Sequence, residues 1–168
     1  MSVMISLILK DTRTFMSNLL IKDTFDRLLL SEAVISTAHT YTINGEINKS
    51  CFSEEELSQL SSTSYAEWLS VKPFCYSIIR GNKVPTGMKI IFLLPDTYVS
   101  DVLAGADTIL TESDINGLFL NIRYSDGNVT VVTGTSLSSF SLDKSVEHAF
   151  DKYVRLFFEQ SGIAFEEQ

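Results

Sequence analysis

The stretch Met88–Gly105, MKIIFLLPDTYVSDVLAG, sets the reading of the fold. Six apolar residues, interrupted only by Lys89, run into Pro95, after which Tyr98, Val99, Val102 and Leu103 recur at helical spacing until Gly105. An apolar run of that length with β-branched residues is a strand. A proline opening a 3.6-residue period that a glycine closes is a helix. Twelve residues on, GLFLNIRYSDGNVTVV alternates apolar and polar positions on both sides of Asp126-Gly127, the dipeptide of a tight hairpin turn with positive φ. The order is strand, helix, strand, turn, strand.

The same order is readable nearer the N-terminus. Ile5–Leu9 is an apolar strand, and Asp11 or Thr12 is placed to cap a helix in DTRTFMSNLLIK. Phe15, Met16, Leu19 and Leu20 occupy the arc that Tyr98, Val99, Val102 and Leu103 occupy later, at one constant offset. Leu28–Ile43 is rich in β-branched and aromatic residues, and Asn44-Gly45 is expected to turn it into a returning strand over about 46–52. The two halves, about 4–52 and 88–142, form an internal repeat. Between them lies a helical insertion, 53–86. In it Ser53 and Glu56 form a capping box for SEEELSQL, and SYAEWLSVKPFCYSIIRG reads as a helix broken near Pro73 and stopped at Gly81. Gly134, Thr135 and Ser136 are expected to separate two strands, the last over about 137–142. A C-terminal helix, about 143–161, carries an apolar stripe of Val146, Ala149, Phe150, Tyr153 and Phe157, widened by Val154 and Phe158.

Composition bounds the function. The 168 residues suit a single domain, 1–168, that buries about two thirds of its unfolded surface. With 45% hydrophobic and 20% charged residues the chain has no tract that reads as disorder. The N-terminal apolar run lacks a basic leader and a small-residue cleavage site, so it reads as a strand, the expected compartment is the cytoplasm and no membrane partner is expected. A net charge of -8 argues against an indiscriminate nucleic-acid binder. Cys51 and Cys75 form no C-x-x-C pair and read as two buried free thiols.

Catalytic signatures are absent. There is no G-x-S-x-G elbow, no phosphate-binding G-x-x-x-x-G-K or G-x-G-x-x-G loop, no calcium loop and no paired histidines, and no cofactor is expected. His39 falls on the alternation Ile35, Thr37, His39, Tyr41, Ile43, the position of a hydrogen-bonded strand histidine. His148 has no second ligand at metal spacing. The hydroxyls of TSLSSFS are read as partners of turn amides. Carboxylate pairs for glycoside chemistry keep no fixed spacing, which leaves an enzyme reading open.

Two resemblances attach to these residues. Through GLFLNIRYSDGNVTVVTGTSLSSFSLDKSVEHAFDKYV the chain resembles an uncharacterised bacterial protein family, which brings no activity with it. More distantly, IIFLLPDTYVSDVLAG followed by GLFLNIRYSDGNVTVVTGTSLSSFSL is similar to the repeats of sliding DNA clamps, with an F-x-L-P-like entry and an SG…FSL-like exit. The resemblance implies an α+β fold of duplicated strand-helix-three-strand topology with a mostly antiparallel sheet. It also implies helices that face DNA, which would turn Arg13, Ser17, Asn18 and Lys22 inward. The matching face of the second helix offers Asp96, Ser100 and Asp101, which repel phosphate. The reading is therefore a non-enzymatic binding or assembly protein with a homo-oligomeric or protein partner. The alternatives are a DNA-associated clamp-like oligomer, and an enzyme or small-molecule binder using His39 or carboxylates.

Overall fold

The computed structural model describes residues 2–60, 64–80 and 85–168, and side chains from residue 5 onward. Seven strands, β1 (Ser2–Leu9), β2 (Leu29–Ser36), β3 (Thr40–Asn44), β4 (Gly87–Leu93), β5 (Ile115–Ser125), β6 (Asn128–Leu137) and β7 (Phe165–Glu167), form one antiparallel sheet in the order β3-β2-β4-β5-β6-β1-β7. Helices α1 (Thr12–Leu20), α2 (Glu54–Gln59), α3 (Trp68–Arg80), α4 (Asp96–Ala104) and α5 (Ser145–Gln160) complete the α+β fold. Alternation decides which sheet face is covered. Met88, Ile90 and Phe92 of β4 and Leu118, Leu120 and Ile122 of β5 are buried, while Lys89, Ile91, Asn121 and Arg123 between them are half-buried or exposed.

An aromatic cluster joins the helices to the covered face. Phe25, in the loop after α1, stacks on Phe92 with ring centroids 5.7 Å apart and meets Phe15, Phe157 and Phe158 edge-on or tilted. Trp68 packs on Phe92 and donates its indole N–H to the Leu19 carbonyl at 2.8 Å, so the largest side chain of the core leaves no polar atom unpaired. α3 packs on β2 and α1, and α5 on β1 and α4.

The order strand, helix, hairpin occurs twice, as β1-α1-β2-β3 and β4-α4-β5-β6, but strand neighbours differ. β4 lies beside β5, whereas β6, β5 and β4 separate β1 from β2. A bulge in β2 between Leu30 and Glu32 shifts the register against β4. It brings Leu30 and Ala33, three residues apart, to the same core face, so β2 and β5 do not share one in-out phase.

The two hairpins diverge as well. In β5–β6, Asp126 (φ 52°) and Gly127 (φ 79°) make the positive-φ pair that the sequence requires. In β2–β3 the chain turns at 37–39, with Thr37 N–H donating to the His39 carbonyl, and not at Gly45. Gly45 is needed for another reason: a Cβ there would lie 1.8 Å from the Leu30 carbonyl oxygen, where the backbones of β2 and β3 crowd together. His39 consequently sits in an exposed turn, not on a strand.

Other expectations are corrected. Over 46–52 there is one bridge, Glu46 to Tyr65, and a 3₁₀ turn at Lys49–Cys51, because Glu46, Lys49 and Ser50 are exposed and the segment has no apolar face to bury. Pro73 lies inside a continuous α3; its missing N–H would have met the carbonyl of Leu69, which is exposed, so no buried bond is lost. The expected stop at Gly81 lies outside the described residues. Cys75 is buried and its thiol is pushed up to about 11 by burial, but Cys51 is exposed. Gly134-Thr135-Ser136 lies within β6, which ends at Leu137, so 138–142 is a loop and not a strand. The capping box of α2 forms as read, and α4 ends at Gly105.

Candidate ligand site

Where β6 runs out and α5 begins, polar groups enter the core. A bulge in β1 between Val3 and Ser6 takes the Ile5 N–H off the ladder, and Thr133 Oγ1 accepts it at 3.2 Å. The Thr133 hydroxyl then donates to Asp151 Oδ1 of α5 at 2.9 Å. Asp151 is buried, and burial raises its pKa above the usual carboxylate range against the opposing pull of the Thr133 hydrogen bond and the charges of Arg155 and His148.

One turn earlier on the helix, Glu147 is 2% exposed. Its Oε1 lies 3.5 Å from Nζ of the exposed Lys144, while Oε2 has no hydrogen-bond partner among the described residues. Thr135 Oγ1, two residues beyond Thr133 on the same strand face, is also buried and unpartnered. Buried polar atoms are nearly always paired, so two orphans on facing elements mark a place the fold itself does not complete. Both residues line a solvent-open cleft of about 450 Å³, together with Leu137, the loop Ser138–Ser141 and Lys144.

That loop carries Phe140 and Leu142, 89% and 82% exposed. It is tied down at its far end. Asp143 accepts the Ser145 N–H at 2.9 Å and the Thr108 hydroxyl at 2.6 Å, and these bonds hold its pKa down at about 2. The Thr108 bond brings in a second loop, on which Ile109 is 94% exposed. Ser141 Oγ accepts the Asp143 N–H and the Ser138 hydroxyl donates to the Asp114 carbonyl, so these hydroxyls serve the loop backbone.

The residues expected to face DNA differ in exposure. Arg13 and Lys22 are exposed and Ser17 is half-buried. Asn18 is a correction: it is 2% exposed, its amide donates to the Thr14 carbonyl and its carbonyl accepts from Thr24, which fastens the end of α1 to the following loop. His148 is exposed, and no cluster of three His, Cys, Asp or Glu suited to a metal occurs among the described residues. Glu147 and Asp151 escaped notice in the sequence, although a signal was there. At about 100° per residue, Glu147 falls between Val154 and Phe158, inside the apolar arc of α5.

Residues 18–166 match one protein family as a block, spanning the sheet from β2 onward, α5 and the cavity. The chain belongs to a family of unknown function (DUF5721). Comparison with curated proteins and with solved structures gave no match. Membership in this family brings no reaction or ligand with it. Among the described residues, no helix is long and apolar enough to cross a membrane.

Proposed function

We propose that this chain is a non-enzymatic binding protein that engages a protein partner through the end of the sheet where β6 enters α5. The observation that carries this reading is the exposure of Ile109, Phe140 and Leu142 on two loops joined by the Thr108–Asp143 hydrogen bond. Three large apolar side chains held in water add nothing to the core. Exposed aromatic and aliphatic anchors grouped beside a cavity are what protein interfaces use. The cavity wall has one carboxylate, Glu147, and no base aligned on a serine hydroxyl, which favours recognition over turnover.

The doubled order of strand, helix and hairpin, with a single antiparallel sheet, supports a clamp-like descent, and a cytoplasmic setting fits the two free thiols. DNA is the less favoured partner: Arg13 on α1 and Lys22 just after it are exposed cations, but Asp96 and Asp101 are exposed on α4, and net charge is -8. The expected DNA affinity is no tighter than about 10⁻⁴ to 10⁻⁶ M at physiological salt.

Selection from a random peptide library displayed on phage tests the reading. Peptides that bind the intact chain are expected, and the double change Phe140→Ser, Leu142→Ser should weaken them by about tenfold or more while leaving thermal unfolding in place. Peptides that bind the double variant as well as the parent would place the interface elsewhere and sink the proposal.

A further inference from the structure

We infer that the cavity beneath the 138–143 loop receives a cationic side chain, lysine or arginine, from the partner protein; this rests on the binding reading above and specifies its chemistry. Glu147 Oε2 is an acceptor without a donor and the Thr135 hydroxyl has no partner, both shielded from solvent. An isolated buried carboxylate oxygen is among the most costly groups a fold retains, and a donor that also carries positive charge offsets it best. Lys144 supplies only a long contact to the other oxygen, and its own side chain is half in water. An incoming ammonium or guanidinium has several donors, which suit Oε2 and the Thr135 hydroxyl together. A carboxylate or phosphate ligand would meet Glu147 head-on, and an alcohol brings no positive charge to offset its carboxylate.

The rest of the cavity suits the stem of such a side chain. Leu137 and Phe140 line it, and aliphatic stems of lysine and arginine cover apolar surface while their heads seek charge. A free polyamine has the same head group, but it would leave Ile109, Phe140 and Leu142 in water, whereas flanking residues of a protein segment cover them. Entry requires the loop to shift, since neither orphan touches solvent. The loop is suited to that: between the Ser138 N–H bond to Asp114 and the cap at Asp143 it has no strand pairing. The incoming cation takes the place of Lys144, which turns outward, so the charge balance at Glu147 is kept.

Amide-resolved NMR titrations of the intact chain test the chemistry with n-butylammonium and n-butylguanidinium against n-butanol and butyrate. The two cations should shift the signals of Thr135 and the 138–143 loop, and the alcohol and the anion should not. With a library-selected peptide, Glu147→Gln should lose about tenfold or more, Lys144→Met should bind more tightly than the parent, and changing the peptide's basic residue to Met should cost nothing further in Glu147→Gln. Thermal unfolding verifies that each variant is folded. If Glu147→Gln binds peptides as the parent does while Phe140→Ser, Leu142→Ser fails to, the interface stands and the cationic occupant is wrong. Should no peptide depend on Phe140 and Leu142, the binding reading itself falls. Spermidine that binds tightly and is indifferent to Phe140→Ser, Leu142→Ser would assign the cavity to a free polyamine and overturn the protein source.

Discussion

The two ends of α5 face the same sheet and follow opposite rules. Toward its C-terminus, Val154 and Phe158 are fully buried, Phe157 and Phe158 reach Phe25, and the helix closes at Gly162 in a left-handed turn with the Ile163 N–H on the Phe158 carbonyl. Toward its N-terminus, the same arc inserts Glu147 and Asp151, one half-paired and the other satisfied by a threonine on β6. The first end stabilises the fold by excluding water from aromatic surface. The second carries a polar cost that folding does not require, and such a cost persists where a ligand offsets it.

The sharpest way to break that contrast is at the aromatic end. Phe158→Ala is expected to destabilise by about 3–5 kcal/mol in denaturant unfolding, as for a fully buried aromatic, and half-buried Phe157 should cost less. Equal and small losses at both would mean that this end is not the anchor. At the polar end the sign reverses. Glu147→Leu should raise stability by about 1–3 kcal/mol, the desolvation cost of an unsatisfied buried group. A loss of similar size would show that Glu147 is a structural residue with partners in solution.

Smaller effects separate the two carboxylates that flank Glu147. Asp151 has its pKa raised by burial, so the folded state binds its proton more tightly than the unfolded chain. Its contribution is present below the ordinary carboxylate pKa of about 3.9 and is lost as pH rises through the higher folded value. Asp151→Asn should flatten that part of a stability-pH curve. Asp143 works in the opposite direction. Held near 2 by Ser145 and Thr108, it adds stability above about pH 4 that is lost as pH falls toward 2, and Asp143→Ala should remove this acid dependence and loosen the 138–143 loop. Urea unfolding followed across pH 2–7 distinguishes the two slopes.

Features closed within a few residues were legible in the chain. Asp126-Gly127 specified its hairpin because positive φ is a local demand that few residues meet. Ser53 and Glu56 capped α2, and Pro95 and Gly105 bracketed α4, because caps are bonds between near neighbours. The stripe of α5 is likewise a property of one helix. Gly45 looked identical to Gly127 in such terms, yet it is held by the approach of Leu30 from the neighbouring strand, which no local pattern records. Only the assembled sheet decided that Gly134 and Thr135 lie inside β6, that β1 pairs with β6 across most of the chain's length, and that Thr135 and Glu147 meet one cavity with no partner. Local sequence thus determined which elements form, through dihedral preference, capping and period. Tertiary packing decided which polar atoms lost their water, because desolvation depends on whatever the rest of the chain places around them.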